Sequence, residues 1–461
     1  MRGDNAHRSA WRCTSALLGT IWLWYSPRLD RAGEKGESGL IARSFQWLLR
    51  AALLVVLIEA LAVGSGSARG ASPKVAVSLG SALPAPLAAS LGRSYFVDRG
   101  RGNDHWAGTK ERPWRTVGKA LRSVPLSGST IYLRGGTYPG EFRWSRSGNP
   151  LNPVTLRAYR TGRVQMTGVA GKDLPAIWVY EGSGLGIDGF DIHVSSGDGI
   201  RIEDSHDIEV RRCNVHNTGA MGVLVVGTGK VAPTGNRNIQ LWDSRFHNNG
   251  GAFVSENPYW AKGTHSVYWG AVSDAADGID HTTVGGIIAN NVFYDQPYGR
   301  QLQLGSQVDG TIVANNTFDR AYQADPEAGD AVVFYGEGTR FDTRNVLVVN
   351  NIIVGSAHHG VTGSGGNAVM QTNVVRNNLA WKNGDGNFEP LYNGEIRLFT
   401  LLGNITGVSP RFMNSSSGDF RLRSGSPAIG RSIPAYTPAT DLLEHTRKSR
   451  PDLGALEHAS G

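Results

Sequence analysis

Cysteine is nearly absent from this chain, with two among 461 residues. Cys13 lies near the start and Cys213 lies deep in the sequence, so no internal disulfide is expected and the fold must be held by its own core. Charge is sparse at 18% of residues, and no run of Lys or Arg occurs in the body of the chain. Residues 1–72 contribute +4 of the formal +7, so the remainder is close to neutral. That balance argues against nucleic acid as a partner. Long apolar runs are also missing, apart from Ala51 to Val63, which Glu59 interrupts. The run is short for a membrane span, and Glu59 would be costly inside one. Arg43 and Arg50 before it and Gly64-Ser-Gly-Ser-Ala68 after it supply the flanks of a secretory signal. Residues 1–71 are therefore expected to be a leader, with export to the extracellular space or cell surface and cleavage near Ala68. A membrane enters only if that leader is kept. Residues 72–93, rich in Ala, Ser, Pro, Leu and Gly, are predicted to be a linker.

Glycine is abundant instead, at 61 residues, and a repeat runs through the chain. Six segments carry an apolar pair at alternate positions, a polar corner, and a further apolar residue. They are Ile208 to Val215, Ile239 to Phe246, Ile288 to Phe293, Val313 to Phe318, Val348 to Ile353 and Val375 to Ala380. The corners fall at Cys213, Ser244, Asn291, Asn316, Asn351 and Asn378, between 25 and 47 residues apart. A short strand, a sharp bend and a second strand recurring at such periods mark a solenoid, whose coils bury their apolar faces only by stacking. Asn suits the corner because it tolerates left-handed backbone and its amide can bond the same amide one coil away.

The two ends carry a resemblance. Tyr95–Asp98, Gly108-Thr-Lys110, Pro113-Trp-Arg-Thr116, Leu133-Arg-Gly-Gly-Thr-Tyr138 and Pro153–Tyr159 resemble the opening coils of bacterial right-handed parallel β-helix proteins of the polysaccharide lyase, pectate-lyase-like superfamily. Phe420-Arg-Leu422, Gly425-Ser-Pro-Ala-Ile429 and Asp452-Leu-Gly-Ala-Leu-Glu457 are similar to the closing segment of extracellular β-helix proteins, although Gly430-Arg431 replaces the usual Asp-x-Gly. The expected fold is all-β, a single-stranded, right-handed, three-sheet parallel β-helix over 94–430, with a closing segment over 431–461. Val117, Ala120, Leu121 and Val124 are spaced for a short amphipathic helix capping the first coil, where it would cover an exposed sheet edge.

Between corners lies another short strand whose inward residues align as Ile200, Val223, Val267, Leu302, Val332 and Val361. Alternation then places Arg201, Leu224, Tyr268, Gln303, Val333 and Thr362 outward. Two positions before each inward residue stand Asp198, Met221, His265, Arg300, Asp330 and His359. The long loop Asn249–Thr264, with Tyr259, Trp260 and Lys262, falls beside this charged column, as the wall of a groove would. His216 and His247 follow two corners at equivalent positions and are expected to stack as a structural pair.

Eliminating across a uronic acid requires a group to bind the carboxylate, a base for the C5 proton and an acid for the glycosidic oxygen. Arg300 suits the first role, His265 the second and Tyr268 the third, or these last two with their roles exchanged, with Asp330, His359, Gln303, Arg201, Asp198 and Trp260 lining subsites. The resemblance implies the same division of labour among Lys, Arg, His or Tyr. Asp274, Asp277 and Asp280 form an Asp-x-x-Asp-x-x-Asp loop that would suit Ca²⁺, and the resemblance similarly implies Ca²⁺ bound by an Asp cluster; otherwise no cofactor is expected. The expectation is an exported, monomeric polysaccharide lyase acting on a uronate-containing glycan. The alternatives are a uronate C5-epimerase, a glycan- or wall-binding solenoid, or a glycoside hydrolase using Asp330 with Glu337 or Asp198 with Glu203.

Overall fold

The structure, a computed structural model, describes residues 83, 92–159, 162–194, 196–228, 235–251, 263–271, 281–322, 329–339 and 341–459. Trp260 and Asp274, Asp277 and Asp280, like the leader, lie outside the described residues. Three sheets run the length of the molecule. The first, of thirteen strands, runs from Ser94–Val97 to Thr400–Leu402, the second, of nine, from Phe142–Trp144 to Gly386–Phe388, and the third, of ten, from Gly136–Pro139 to Ile405–Thr406. Neighbouring strands within them pair in parallel. Strands adjacent in a sheet belong to successive turns of the chain, so the three sheets are the walls of a single right-handed parallel β-helix.

At the first coil, Val117–Ser123 forms a helix. The Thr116 side chain caps it by accepting from the Lys119 N–H at 3.2 Å. Val117, Ala120, Leu121 and Val124 are all buried, as their spacing predicts.

The corners show why asparagine recurs. The left-handed backbone belongs to the residue before each ladder residue, with φ between 48° and 60° at Asp243, Asn290, Asn315, Asn350 and Asn377. The next residue supplies the ladder. The Asn291 side-chain N–H₂ donates to Asn316 Oδ1 at 3.1 Å, Asn316 to Asn351 at 3.1 Å, Asn351 to Asn378 at 2.9 Å and Asn378 to Asn404 at 3.0 Å. Each acceptor oxygen also takes a backbone N–H from the preceding coil. The sequence assigns both jobs to one asparagine; the structure divides them between neighbours, because an amide aimed inward along the axis is fully used there.

Inside, aromatic residues stack in register, Phe246 on Phe293 at 4.9 Å and Phe293 on Phe318 at 4.6 Å between ring centroids. Outside, the first and third sheets carry apolar rows such as Ala289, Ala314 and Val349, or Ile352 and Leu379. Residues beyond Thr406 run back over these rows and bury them with Phe420, Leu422, Tyr436 and Leu453. The corner asparagines hold this segment from beneath: Asn290 donates to Thr440 O, Asn315 to Asp452 O, Asn350 to Ile433 O and Asn377 to Arg431 O. Gly454, at φ 82°, meets the solenoid so closely that a Cβ would lie 2.7 Å from Ile352 Cδ1.

Asn351→Ala would leave the Asn316 N–H and amide without their acceptor in a dry interior. The expected loss is about 2–3 kcal/mol, read as a lower midpoint in urea unfolding, with little change for the exposed substitution Glu111→Ala.

Candidate functional site

The second sheet places the charged column. Its pairing aligns Ile200, Val223, Val267, Leu302, Val332 and Val361 inward, all fully buried. Arg201, Leu224, Tyr268, Gln303, Val333 and Thr362 follow outward in one row, as alternation requires. The row continues towards the first coils through Trp178 and Arg143.

Asp198, Met221, His265, Arg300, Asp330 and His359 stand where the chain enters these strands, and most are bound to the next coil. Asp198 Oδ1 accepts the Met221 N–H at 3.0 Å, Met221 Sδ the His265 N–H at 3.1 Å, His265 Nδ1 the Arg300 N–H at 3.1 Å, and Asp330 Oδ1 the His359 N–H at 3.0 Å. Arg300 breaks this ladder, because a guanidinium has no acceptor to offer. Its side chain instead turns along the outer face, where Nη1 donates to Gln303 Oε1 at 2.8 Å and Nε lies 3.7 Å from Asp330 Oδ2.

His265 is 2% exposed, and burial together with the Arg300 charge pushes its pKa well below the ordinary histidine value. Its acceptor nitrogen already serves the Arg300 backbone, so the neutral ring carries its proton on Nε2. Tyr268 stacks 6.1 Å from the His265 ring and donates its hydroxyl to Ala271 O at 3.0 Å. Burial raises its pKa, and Glu337 adds to the shift. Asp198 holds Arg201 through Nε at 2.8 Å and Nη2 at 2.7 Å. Asp330 lies 3.3 Å from His359 Nδ1, and this hydrogen bond raises the pKa of His359 against the opposing effect of burial.

Two cavities open on this face. One, of about 220 Å³, is lined by Arg300, Asp330, Val333, His358, His359 and Thr362, among others. The other, of about 410 Å³, is lined by Arg201, Glu203, Met221, Leu224, Val226 and Tyr268, among others. Tyr268 and Gln303, paired across adjacent strands, stand between them.

His358 is a functional candidate that the column alignment misses. Its Nδ1 is hydrogen-bonded to the Asp385 carboxylate, and its buried Nε2 has no hydrogen-bond partner among the described residues. Asp385 sits in the following coil, outside any repeated position, so only the doublet His358-His359 hints at the pair. On the third sheet the His216 and His247 rings stack at 4.9 Å, in a series that extends to His193 and Tyr294. Asp191, His193 and His216 are the cluster that could gather around a metal among the described residues. Their two imidazoles suit a transition metal better than Ca²⁺.

A family model described as the right handed beta helix region matches residues 175–324. The uncharacterized protein YwoF of Bacillus subtilis (strain 168) is 30% identical over 115 residues, which is 23% of this chain and 24% of that protein. The chain thus spans about a quarter of that curated relative. Among solved structures, pectate lyase Pel9A aligns with a TM-score of 0.55 at 16% identity, covering 80% of this chain and 97% of its own. A rhamnogalacturonan lyase aligns at 0.46 and 17% identity, covering 80% and 96%. With its three parallel sheets, helical cap and matching coil model, the chain is a right-handed parallel β-helix protein of the pectate-lyase-like fold.

Proposed function

We propose that the chain is an exported carbohydrate-active enzyme that cleaves a uronate-containing polysaccharide by β-elimination. The observation that carries this reading is Arg300, oriented by Gln303 and Asp330 at the edge of a cavity shared with two histidines. The pectate lyase whose fold aligns with this chain lends the substrate class. In this reading Arg300 binds the uronate carboxylate and withdraws electron density, which acidifies the C5 proton.

The base expected at His265 moves to His358. His265 has its acceptor nitrogen bound to the Arg300 backbone and so positions the clamp, whereas Asp385 orients His358 Nδ1–H and leaves Nε2 as the proton acceptor once substrate entry turns the buried ring edge to the cavity. The C5–H electron pair forms the C4–C5 double bond as the C4–O bond breaks. His359, whose charged form Asp330 favours, gives its proton to the departing oxygen. Tyr268 borders the neighbouring subsite, with Gln303 and Arg201 beyond it. Both carboxylate pairs weighed for hydrolysis have one member engaged by a neighbouring basic side chain, Asp330 by His359 and Asp198 by Arg201. A calcium requirement rests on Asp274, Asp277 and Asp280 and is tested separately with chelator.

The test mixes the full chain with a panel of uronate polymers and follows the ultraviolet absorbance of the unsaturated product. Arg300→Ala and His358→Ala are each expected to lower the rate by about a hundredfold or more. Reducing ends released without the chromophore would overturn elimination in favour of hydrolysis, and binding without either product would make the protein a glycan binder. A second prediction concerns pH. The Asp330 carboxylate favours the charged form of His359, so in Asp330→Asn the pKa of His359 falls and its proton is lost at lower pH. The alkaline limb of the rate profile should shift towards acid; an unmoved limb would remove His359 from the acid role.

A further inference from the structure

The outward row that carries Tyr268 and Gln303 ends, at the first coils, in a cation of a different kind. Arg201 is neutralised by Asp198, and Arg300 lies beside Asp330. Arg143 is held by aromatic rings instead. Its guanidinium carbon lies 4.6 Å from the Trp178 ring centroid and 4.8 Å from that of Tyr180, and its Nε donates to Ser145 Oγ at 3.1 Å. The two rings meet edge-on at 5.6 Å and 62°, forming a corner that fixes the guanidinium plane. No carboxylate among the described residues makes an ion pair with it, and the residue is exposed. Aromatic faces attract a cation without cancelling its charge or using its donors, so this arginine is oriented and still able to bind an anion bidentately.

Register places it on the path of the groove. Arg143 pairs with Trp178, Trp178 with Arg201, Arg201 with Leu224, Leu224 with Tyr268 and Tyr268 with Gln303. Five strand steps separate Arg143 from Gln303, which is about 24 Å at the usual strand spacing, or roughly five sugar units. The larger cavity, floored by Leu224 and Val226, lies between the two ends. Towards the neighbouring outward row the charge changes sign at Glu203, which would turn the carboxylates of a bound chain to the Arg143 side.

We infer that Arg143, with Trp178 and Tyr180 as its support, is a distal anion subsite that binds the carboxylate of a second uronate unit and so makes the protein selective for long anionic glycan chains. This rests on the groove holding an anionic polysaccharide, but not on the chemistry performed there.

The test measures binding by calorimetry in the His358→Ala background, so that the ligand survives, using trisaccharides and octasaccharides of galacturonate, mannuronate, guluronate and glucuronate. Arg143→Gln should weaken octasaccharide binding about tenfold and leave trisaccharide binding unchanged. Arg143→Lys should restore part of the loss, and carboxyl-reduced octasaccharide should not distinguish the variant from its parent. Equal affinities of parent and variant for every octasaccharide, or an equal loss at both lengths, would overturn the subsite. Length-dependent loss in a protein that never produces the chromophore would leave the subsite standing while elimination falls. Normal elimination with no effect of Arg143 on long chains would do the reverse.

Discussion

Coil-to-coil hydrogen bonding along the solenoid axis is the constraint on which everything else in this molecule depends. A parallel sheet in this geometry cannot satisfy its backbone from within one turn of chain, so each coil is complete only when its neighbours are present. The asparagine ladder extends that rule to side chains. Amides at Asn291, Asn316, Asn351 and Asn378 occupy a dry corner because each is both donor and acceptor to the coils on either side. Leaving one such group unpaired costs more than a formed bond returns, so the ladder fixes register more strongly than it adds net stability.

The groove inherits its precision from the same rule. Side chains at the entry of the second sheet accept backbone N–H groups from the next coil, and that contact sets how Asp198, His265 and Asp330 are turned. Arg300 cannot join, and its side chain is left to project over the outer face. The charged cluster is thus a local interruption of a structural ladder, which is consistent with a site grafted onto a fold that serves many chemistries.

Much of this was legible in the sequence for one reason: period-two alternation fixes which residues share a face once a single inward residue is aligned. Val332 and Val361 settled the register at Asp330, where Ala331 to Tyr335 is apolar throughout, and the whole outward row followed. What the alternation does not encode is the state of each side chain within its column. His265 is indistinguishable from His359 in sequence position, yet one is buried against an arginine amide and the other is held by a carboxylate. Asp385 reaches His358 from an irregular loop, and the ring corner around Arg143 lies before the first recognisable repeat, so neither carried a periodic signal.

The closing segment imposes an order of events on biosynthesis. Thr440, Asp452 and Gly454 rest on coils whose corner residues, Asn290, Asn315 and Asn350, leave the ribosome more than a hundred residues earlier. Coils can stack as they emerge, yet their outer apolar strips stay bare until the last part of the chain is made. A ribosome that stops short would therefore release a molecule with its coils assembled and its sides adhesive, an error that quality-control proteases could recognise from the surface alone.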